Sequence, residues 1–338
     1  MCGSVSLDWG VSLPRIAVTM GDPAGVGPEL ALMMLANPDI SAICQPIVFG
    51  DVEVLRAAAT ATGLVLPDTV AIAEDLEKLR EGPAIYDIGA IAPKEFSPGE
   101  IGEAAGGAAY SYIDHSINAA TSGLVDAVTT LPINKEALHM AGIHFPGHTE
   151  IFATRTGASR SCMMQYSEKI TCTFVTVHVG YAEVPELLTT DRVLDVIQLT
   201  AEALRRIRKR NPRIVVLGLN PHAGENGLFG EREEERLIIP AIEAAKVQGM
   251  DIYGPVPPDT AFIPASLEKN DAFVCMTHDQ GHIPVKALAF DSAVNTTLGL
   301  PVVRTSVDHG TAFDIAWTGK ANPGSLYAAI RLATRLSC

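Results

Sequence analysis

At 338 residues and 47% hydrophobic, the chain can bury a large core, as two domains or as one two-lobed unit with a cleft between lobes. Its 25 basic and 39 acidic residues give a net charge of −14, which argues against nucleic acid or an anionic membrane as partner, because both depend on an excess of Lys and Arg. An anionic substrate therefore needs a local cationic site. No uninterrupted apolar run is long enough to span a bilayer. The six cysteines (Cys2, Cys44, Cys162, Cys172, Cys275 and Cys338) form no CxxC pair and read as reduced, buried thiols of a cytoplasmic protein.

Residues 1–14 carry Asp8 and neither a basic stretch nor a long apolar run, so they read as a disordered leader ahead of one folded unit over residues 15–338. Arg15 to Thr19 reads as a first strand running into Met20-Gly21-Asp22-Pro23-Ala24-Gly25-Val26-Gly27-Pro28-Glu29, with Pro28 placed to open a helix. The glycine spacing is neither GxGxxG nor GxxxxGK[ST], so the turn reads either as an anion site or as a purely structural strand-to-helix link. Pro46 to Gly50 and Val52 to Thr62 repeat strand then helix, and that alternation predicts an α/β fold with a mainly parallel sheet.

Glu100 to Ser122 is rich in Gly and Ala, which suits a helix packed closely on a neighbour, with Gly106 and Gly107 permitting close approach at a dimer contact. After the strand Ala127 to Thr130 comes Lys135, either a solvated helix-start lysine or an active-site group. Gly147-His148-Thr149-Glu150 opens a short helix, where Thr149 caps it or, with His148, donates to a phosphate or carboxylate. Cys172 to His178 is a strand ending in histidine. Asp191 to Arg210 has apolar residues at helical spacing, and its basic end complements the helix dipole without needing a partner. Arg213 to Leu219 is a strand running into Asn220-Pro221-His222, and Asp259 in a Pro-rich loop is a candidate catalytic carboxylate. The apolar strand Ala272 to Met276 runs into a turn, Thr277 to Lys286, dense in histidine, carboxylate and lysine, which is where open α/β sheets carry their chemistry. Asn295, the short strand Pro301 to Thr305, the segment Asp308 to Asp314 and a terminal helix from Asn322-Pro323-Gly324 complete the chain.

Three histidines, His178, His222 and His278, each follow a predicted strand, and three neutral imidazoles can hold a divalent ion with open positions for a substrate oxygen. Lys286 and Arg304 supply positive charge for an anion, with Arg suited to bidentate contact. Lys286 reads as a proton-transfer group or as a partner for substrate charge alone.

Together, the stretches Gly21 to Glu29, Pro132 to Glu136, Gly147 to Glu150, Asn220 to Glu225, His278 to Lys286 and Asp308 to Asp314 resemble the 4-hydroxythreonine-4-phosphate dehydrogenase (PdxA) family, over almost the whole chain after Pro14. The resemblance implies the isocitrate/isopropylmalate dehydrogenase-like two-lobed α/β fold. It implies NAD-dependent, metal-assisted oxidation and decarboxylation of a four-carbon 4-phospho hydroxy acid in pyridoxal phosphate biosynthesis, by a homodimer with shared active sites. On that resemblance His178, His222 and His278 hold one Zn, Mg, Mn or Co ion, and His148, Thr149, Lys286, Asn295 and Arg304 bind substrate. The segment His309 to Pro323 resembles the adenosine-side NAD loop of the decarboxylating dehydrogenases, which makes His309, Gly310, Thr311, Asp314 and Asn322 the expected contacts for NAD, or NADP. Two departures, His282 and the pair Gly180-Tyr181, leave the substrate open between the biosynthetic compound and the 4-phospho-D-threonate or 4-phospho-D-erythronate of paralogues in sugar-acid catabolism. A phosphate acyltransferase on a related fold is the alternative from another class.

Overall fold

The computed structural model describes residues 13–290 and 292–337, so the leader reading, Cys2 and Cys338 lie outside the described residues. Twelve short strands form one sheet: β1 (Arg15–Thr19), β2 (Gln45–Gly50), β3 (Ala71–Ala73), β4 (Ala84–Asp87), β5 (Ala127–Thr130), β6 (Cys162–Tyr166), β7 (Thr171–Phe174), β8 (Arg213–Leu217), β9 (Asp251–Val256), β10 (Ala272–Cys275), β11 (Val294–Leu298) and β12 (Val303–Ser306). Their spatial order is β3-β4-β2-β1-β5-β12-β11-β6-β7-β10-β8-β9. The block from β3 to β12 is parallel throughout, as is the block from β7 to β9. Between them β11 and β6 pair antiparallel with their neighbours. The expected parallel α/β sheet is therefore two parallel blocks joined by an antiparallel centre.

Alternation along the strands divides the second block between two cores. Ile214, Val216, Ala272 and Val274 face one core, which the helix Thr190–Arg208 covers, whereas Val215, Leu217, Phe273 and Cys275 face the other. That helix is the amphipathic one expected: Val193, Val196, Ile197, Thr200, Leu204 and Ile207 are its buried stripe. Its basic end is paired, Arg208 with Glu168 and Arg210 with both oxygens of Asp271 at 2.6 and 2.7 Å. The first block has its own core around β1, β2 and β5. Cys44, Cys162, Cys172 and Cys275 are buried free thiols, and among the described residues no helix is long and apolar enough to cross a membrane.

One local reading is met and one changes. The Gly/Ala-rich helix Glu103–Thr121 packs closely on a neighbour as expected, the helix Lys135–Met140, since a Cβ on Gly106 would lie 2.1 Å from the Ala137 carbonyl oxygen. The polar stretch after β10 is the helix His278–Ala289 and not an open turn. Gln280 folds back so that its Oε1 accepts the Met276 and Thr277 amides at 2.8 and 3.3 Å, which fixes the helix start despite Gly281 and Pro284 within it.

Candidate active site

A cleft of about 600 Å³ opens where the antiparallel centre meets both blocks. Register explains one wall. Thr297 of β11 stands opposite Arg304 of β12, and Asn295 opposite Ser306, so these side chains share one face. Arg304 is 2% exposed; its Nη1 donates to Thr297 Oγ1 at 3.1 Å and its Nη2 to Thr130 Oγ1 at 2.9 Å. Among the described residues its hydrogen-bond partners are hydroxyls, not carboxylates, and Nε is buried without a partner. Burial pushes this guanidinium down to about 10, against the pull of Glu150.

His148 begins the helix His148–Thr156, and its Nε2 is also buried without a partner. Burial first, then the positive charges of Arg304 and Lys135, hold this imidazole well below its ordinary range, so it is neutral at pH 7. Thr149 Oγ1 lies 3.4 Å from Thr297 Oγ1, and Asn295 Oδ1 is a third buried atom lacking a partner. Buried polar atoms are normally satisfied. His148 and Asn295 thus bring unmatched polar atoms to a cleft that Arg304 also lines, with the Glu150 and Asp308 carboxylates on the same lining.

Asp308, directly beyond β12, is a cleft carboxylate that motif reading passed over although it opens the Asp308–Asp314 stretch. Its Oδ2 takes Lys286 Nζ at 3.2 Å and its Oδ1 takes Gln165 Nε2 at 3.2 Å. Gln165 gave no signal, because β6 did not read as a strand. The helix carrying Lys286 thus reaches the cleft edge through Asp308.

The strand-end histidines follow three adjacent strands, β7, β10 and β8. His178 and His278 are neighbours, with ring centres 5.7 Å apart. His278 Nδ1 lies 2.7 Å from Asp279 Oδ1, and Asp279 Oδ2 accepts the Tyr181 hydroxyl at 2.5 Å. This carboxylate orients the ring and leaves Nε2 free, a usual arrangement behind a metal ligand. His282 stacks on His278 at 3.8 Å and on Phe174 at 4.4 Å, supporting the same ring from behind. His222 stands apart: it is exposed, in a left-handed turn from Pro221 to Gly227, with φ of 54° and its ring 6.0 Å from Phe229. His178 has φ of 53°, and backbone of this kind at non-glycine residues concentrates at functional sites. Among the described residues no three His, Cys, Asp or Glu stand close enough to hold a metal ion. Asp259 is exposed and does not line the cleft.

Of the expected cofactor contacts, His309 and Gly310 line the cleft, whereas Thr311 is buried with its carbonyl accepting the Val26 amide at 3.0 Å. Asp314 is exposed. Asn322 Oδ1 accepts the Gly324 amide at 2.9 Å, so that side chain already caps the terminal helix.

Asp22, in the turn after β1, carries a measurable consequence of burial. It is 1% exposed, Oδ1 accepts the Ala24 amide at 2.9 Å, and Oδ2 has no partner. Burial raises its carboxyl from 3.8 to about 6. Between those values the folded chain keeps a proton that the unfolded chain has released, so stability falls as pH rises from about 4 to about 6 and stays lower above. Asp22→Asn, which keeps the acceptor to Ala24, is therefore expected to gain up to ~3 kcal/mol at pH 7 and nothing at pH 4. Urea unfolding across that range checks it; a gain independent of pH contradicts it.

The chain matches known proteins along nearly its whole length. The family model described as "Pyridoxal phosphate biosynthetic protein PdxA" matches residues 42–333. The 4-hydroxythreonine-4-phosphate dehydrogenase of Geobacter metallireducens is 45% identical over 325 residues, covering 96% of this chain and 96% of that one. The D-threonate 4-phosphate dehydrogenase of Pectobacterium atrosepticum is 44% identical, covering 95% of this chain and 99% of that one. The crystal structure of 4-hydroxythreonine-4-phosphate dehydrogenase from Klebsiella pneumoniae superposes with a TM-score of 0.87 at 41% identity, over 97% of this chain and 99% of that one. With dehydrogenases matching along nearly its full length, the chain is an oxidoreductase acting on a CH–OH group, not an acyltransferase. It belongs to the PdxA family.

Proposed function

We propose that the protein oxidises the secondary alcohol of a four-carbon 4-phospho hydroxy acid with NAD, after which the β-keto acid loses CO₂. The observation that carries this reading is Arg304, buried with hydroxyl hydrogen-bond partners and no ion pair among the described residues, lining one cleft with His148, Thr149 and Asn295. A phosphate placed there meets a charge-assisted donor from Arg304 and neutral donors from the Thr149 hydroxyl and the Asn295 side-chain amide nitrogen, while the free Nε2 of neutral His148 can accept from a protonated phosphate oxygen. Because the net charge of −14 repels anions at long range, recognition rests on this preorganised pocket.

NAD, when bound, would supply the hydride acceptor; the chain has to supply a base for the hydroxyl proton. Lys286 is proposed for that proton transfer, kept at the cleft edge by Asp308, which Gln165 holds in turn. His178, His222 and His278 are proposed to hold one divalent ion; their positions after three adjacent strands and the Asp279 contact behind His278 support it. When bound, such an ion supplies positive charge to the hydroxyl oxygen and to the carboxylate beside it. His309, Gly310, Thr311, Asp314 and Asn322 are proposed to form the adenosine side of the NAD site, which the position of His309 and Gly310 at the cleft supports.

The two blocks of the sheet serve as the two lobes in this reading, and two chains form a homodimer. Exposed Ile283 and Phe290 flank Lys286, and exposed Leu228 and Tyr253 lie near the His222 turn and the Asp259 loop. Covering such side chains with a second copy would bring exposed His222 and Asp259, the latter as a catalytic carboxylate, toward a shared site. Buried reduced thiols and an NAD-linked reaction fit the cytoplasm.

Relatives named for 4-hydroxythreonine 4-phosphate and for D-threonate 4-phosphate stand at 45% and 44% identity, which keeps the second substrate as a specific alternative. NADH formation with 4-hydroxythreonine 4-phosphate, 4-phospho-D-threonate and 4-phospho-D-erythronate, each with and without a chelator, tests the proposal. One of the three is expected to be turned over in a chelator-sensitive way; no NADH from any of them overturns the reading.

A further inference from the structure

The turn after β1 serves neither the proposed anion pocket nor the proposed metal ligands, yet it ends in a carboxylate that is completely buried. Glu29, 0% exposed in the helix Gly27–Leu35, reaches across nearly 290 positions of sequence to accept the Trp317 amide at 3.0 Å through Oε1 and the Gly319 amide at 2.8 Å through Oε2. Both donors lie in the loop that carries the proposed NAD contacts. The same turn grips that loop at two further points. Val26 donates its amide to the Thr311 carbonyl at 3.0 Å, and the Pro23 carbonyl accepts Trp317 Nε1 at 3.0 Å. Gly25 has no room for a side chain, because a Cβ there would stand 2.9 Å from the Thr311 carbonyl oxygen. Trp317 adopts φ of 60° and packs edge-on against Phe96 at 5.7 Å.

A carboxylate is a costly way to finish a core, since a buried charge needs hydrogen bonds from every side. Here it does what a neutral side chain cannot, accepting two backbone donors of an irregular loop at once through separate oxygens. We infer that Glu29 is a positioning residue for the cofactor: it sets the His309–Gly319 loop at the height where its outer edge, His309, Gly310 and Asp314, meets the adenosine half of NAD. This inference rests on the reading of that loop as the NAD site. The Gly21–Glu29 turn is then a cradle for the cofactor loop and not itself an anion-binding fingerprint, which explains why its glycine spacing fits neither nucleotide motif.

The experiment uses full-length dimeric enzyme. Glu29→Gln is made in a Trp9→Phe background, where Trp317 is the sole tryptophan, and NAD and inorganic phosphate affinities are measured by calorimetry. The expected result is a shifted Trp317 emission, NAD affinity weakened by about tenfold, and phosphate affinity unchanged. Should Glu29→Gln fail to fold, Trp317→Phe removes the bond to the Pro23 carbonyl and alters the contact with Phe96, loosening the same grip on the loop, and is expected to weaken NAD in the same selective way. Equal losses for NAD and phosphate overturn the inference, because they mark a general structural role. Asp314→Ala separates the two layers of argument. If it weakens NAD while Glu29→Gln does not, the inference alone falls; if neither changes NAD affinity, the reading of the loop falls and the inference with it.

Discussion

Arg304→Met is expected to lower kcat/KM for the phosphorylated substrate by about three orders of magnitude while leaving the empty protein as stable as before, or more stable. The two halves of that result come from one observation. Arg304 is buried at 2% exposure with hydroxyl partners and no ion pair among the described residues, and burial pushes its guanidinium down to about 10. An uncompensated buried cation costs stability, and an apolar side chain of similar length removes that cost. In the proposed reading the substrate's phosphate pairs with this cation, and deleting one partner of a buried charge pair typically costs about 2–5 kcal/mol of binding, the upper part of which converts to the loss stated. A structural arginine behaves in the opposite way: its loss destabilises the fold and leaves substrate binding intact in whatever folds. Urea unfolding of the substrate-free variant beside its steady-state kinetics separates the two. Loss of stability by several kcal/mol with an unchanged KM contradicts the anion-pocket assignment.

His278→Ala is expected to remove bound divalent metal and to reduce kcat by about a thousandfold, the scale of several kcal/mol that Lewis-acid charge stabilisation supplies. His278 stands between two supports, Asp279 at Nδ1 and the stacked ring of His282, so its orientation is fixed before any metal arrives. Elemental analysis of the folded variant checks the first half and single-turnover kinetics the second. Unchanged metal content in folded His278→Ala removes the three-histidine assignment. An unchanged kcat with metal lost removes only the catalytic use of the ion.

How much of this was legible in the chain depends on whether the signal was local. The strands β1, β2, β5, β8 and β10 are continuous apolar or β-branched runs, and the stripe of the Thr190–Arg208 helix repeats at helical spacing, so both could be read directly. The strand-end positions of His178, His222 and His278 follow from those runs. The antiparallel centre was not legible. β6, Cys162–Tyr166, and β11, Val294–Leu298, mix polar with apolar residues although four of the five residues in each are buried, so neither an alternation nor a continuous apolar run marks them. With them went Gln165 and the pairing of Thr297 with Arg304. The helix after β10 was hidden for a different reason: its Gly281 and Pro284 read as breakers, and the Gln280 cap that overrides them depends on the Met276 and Thr277 amides being free at the end of a strand. Glu29 and Asp308 are tertiary in the strict sense. Their partners, Trp317 and Gly319 for one and Lys286 and Gln165 for the other, are distant in sequence and carry no periodicity.

The central claim is that this cleft couples oxidation of a 4-phospho hydroxy acid to loss of CO₂, and the stoichiometry of products tests it most directly. With carboxyl-labelled substrate and saturating NAD and divalent metal, one labelled CO₂ is expected per NADH formed, and both fall together in Arg304→Met. NADH formed without release of labelled CO₂, even after the product has had time to decarboxylate in the enzyme's presence, would contradict the account.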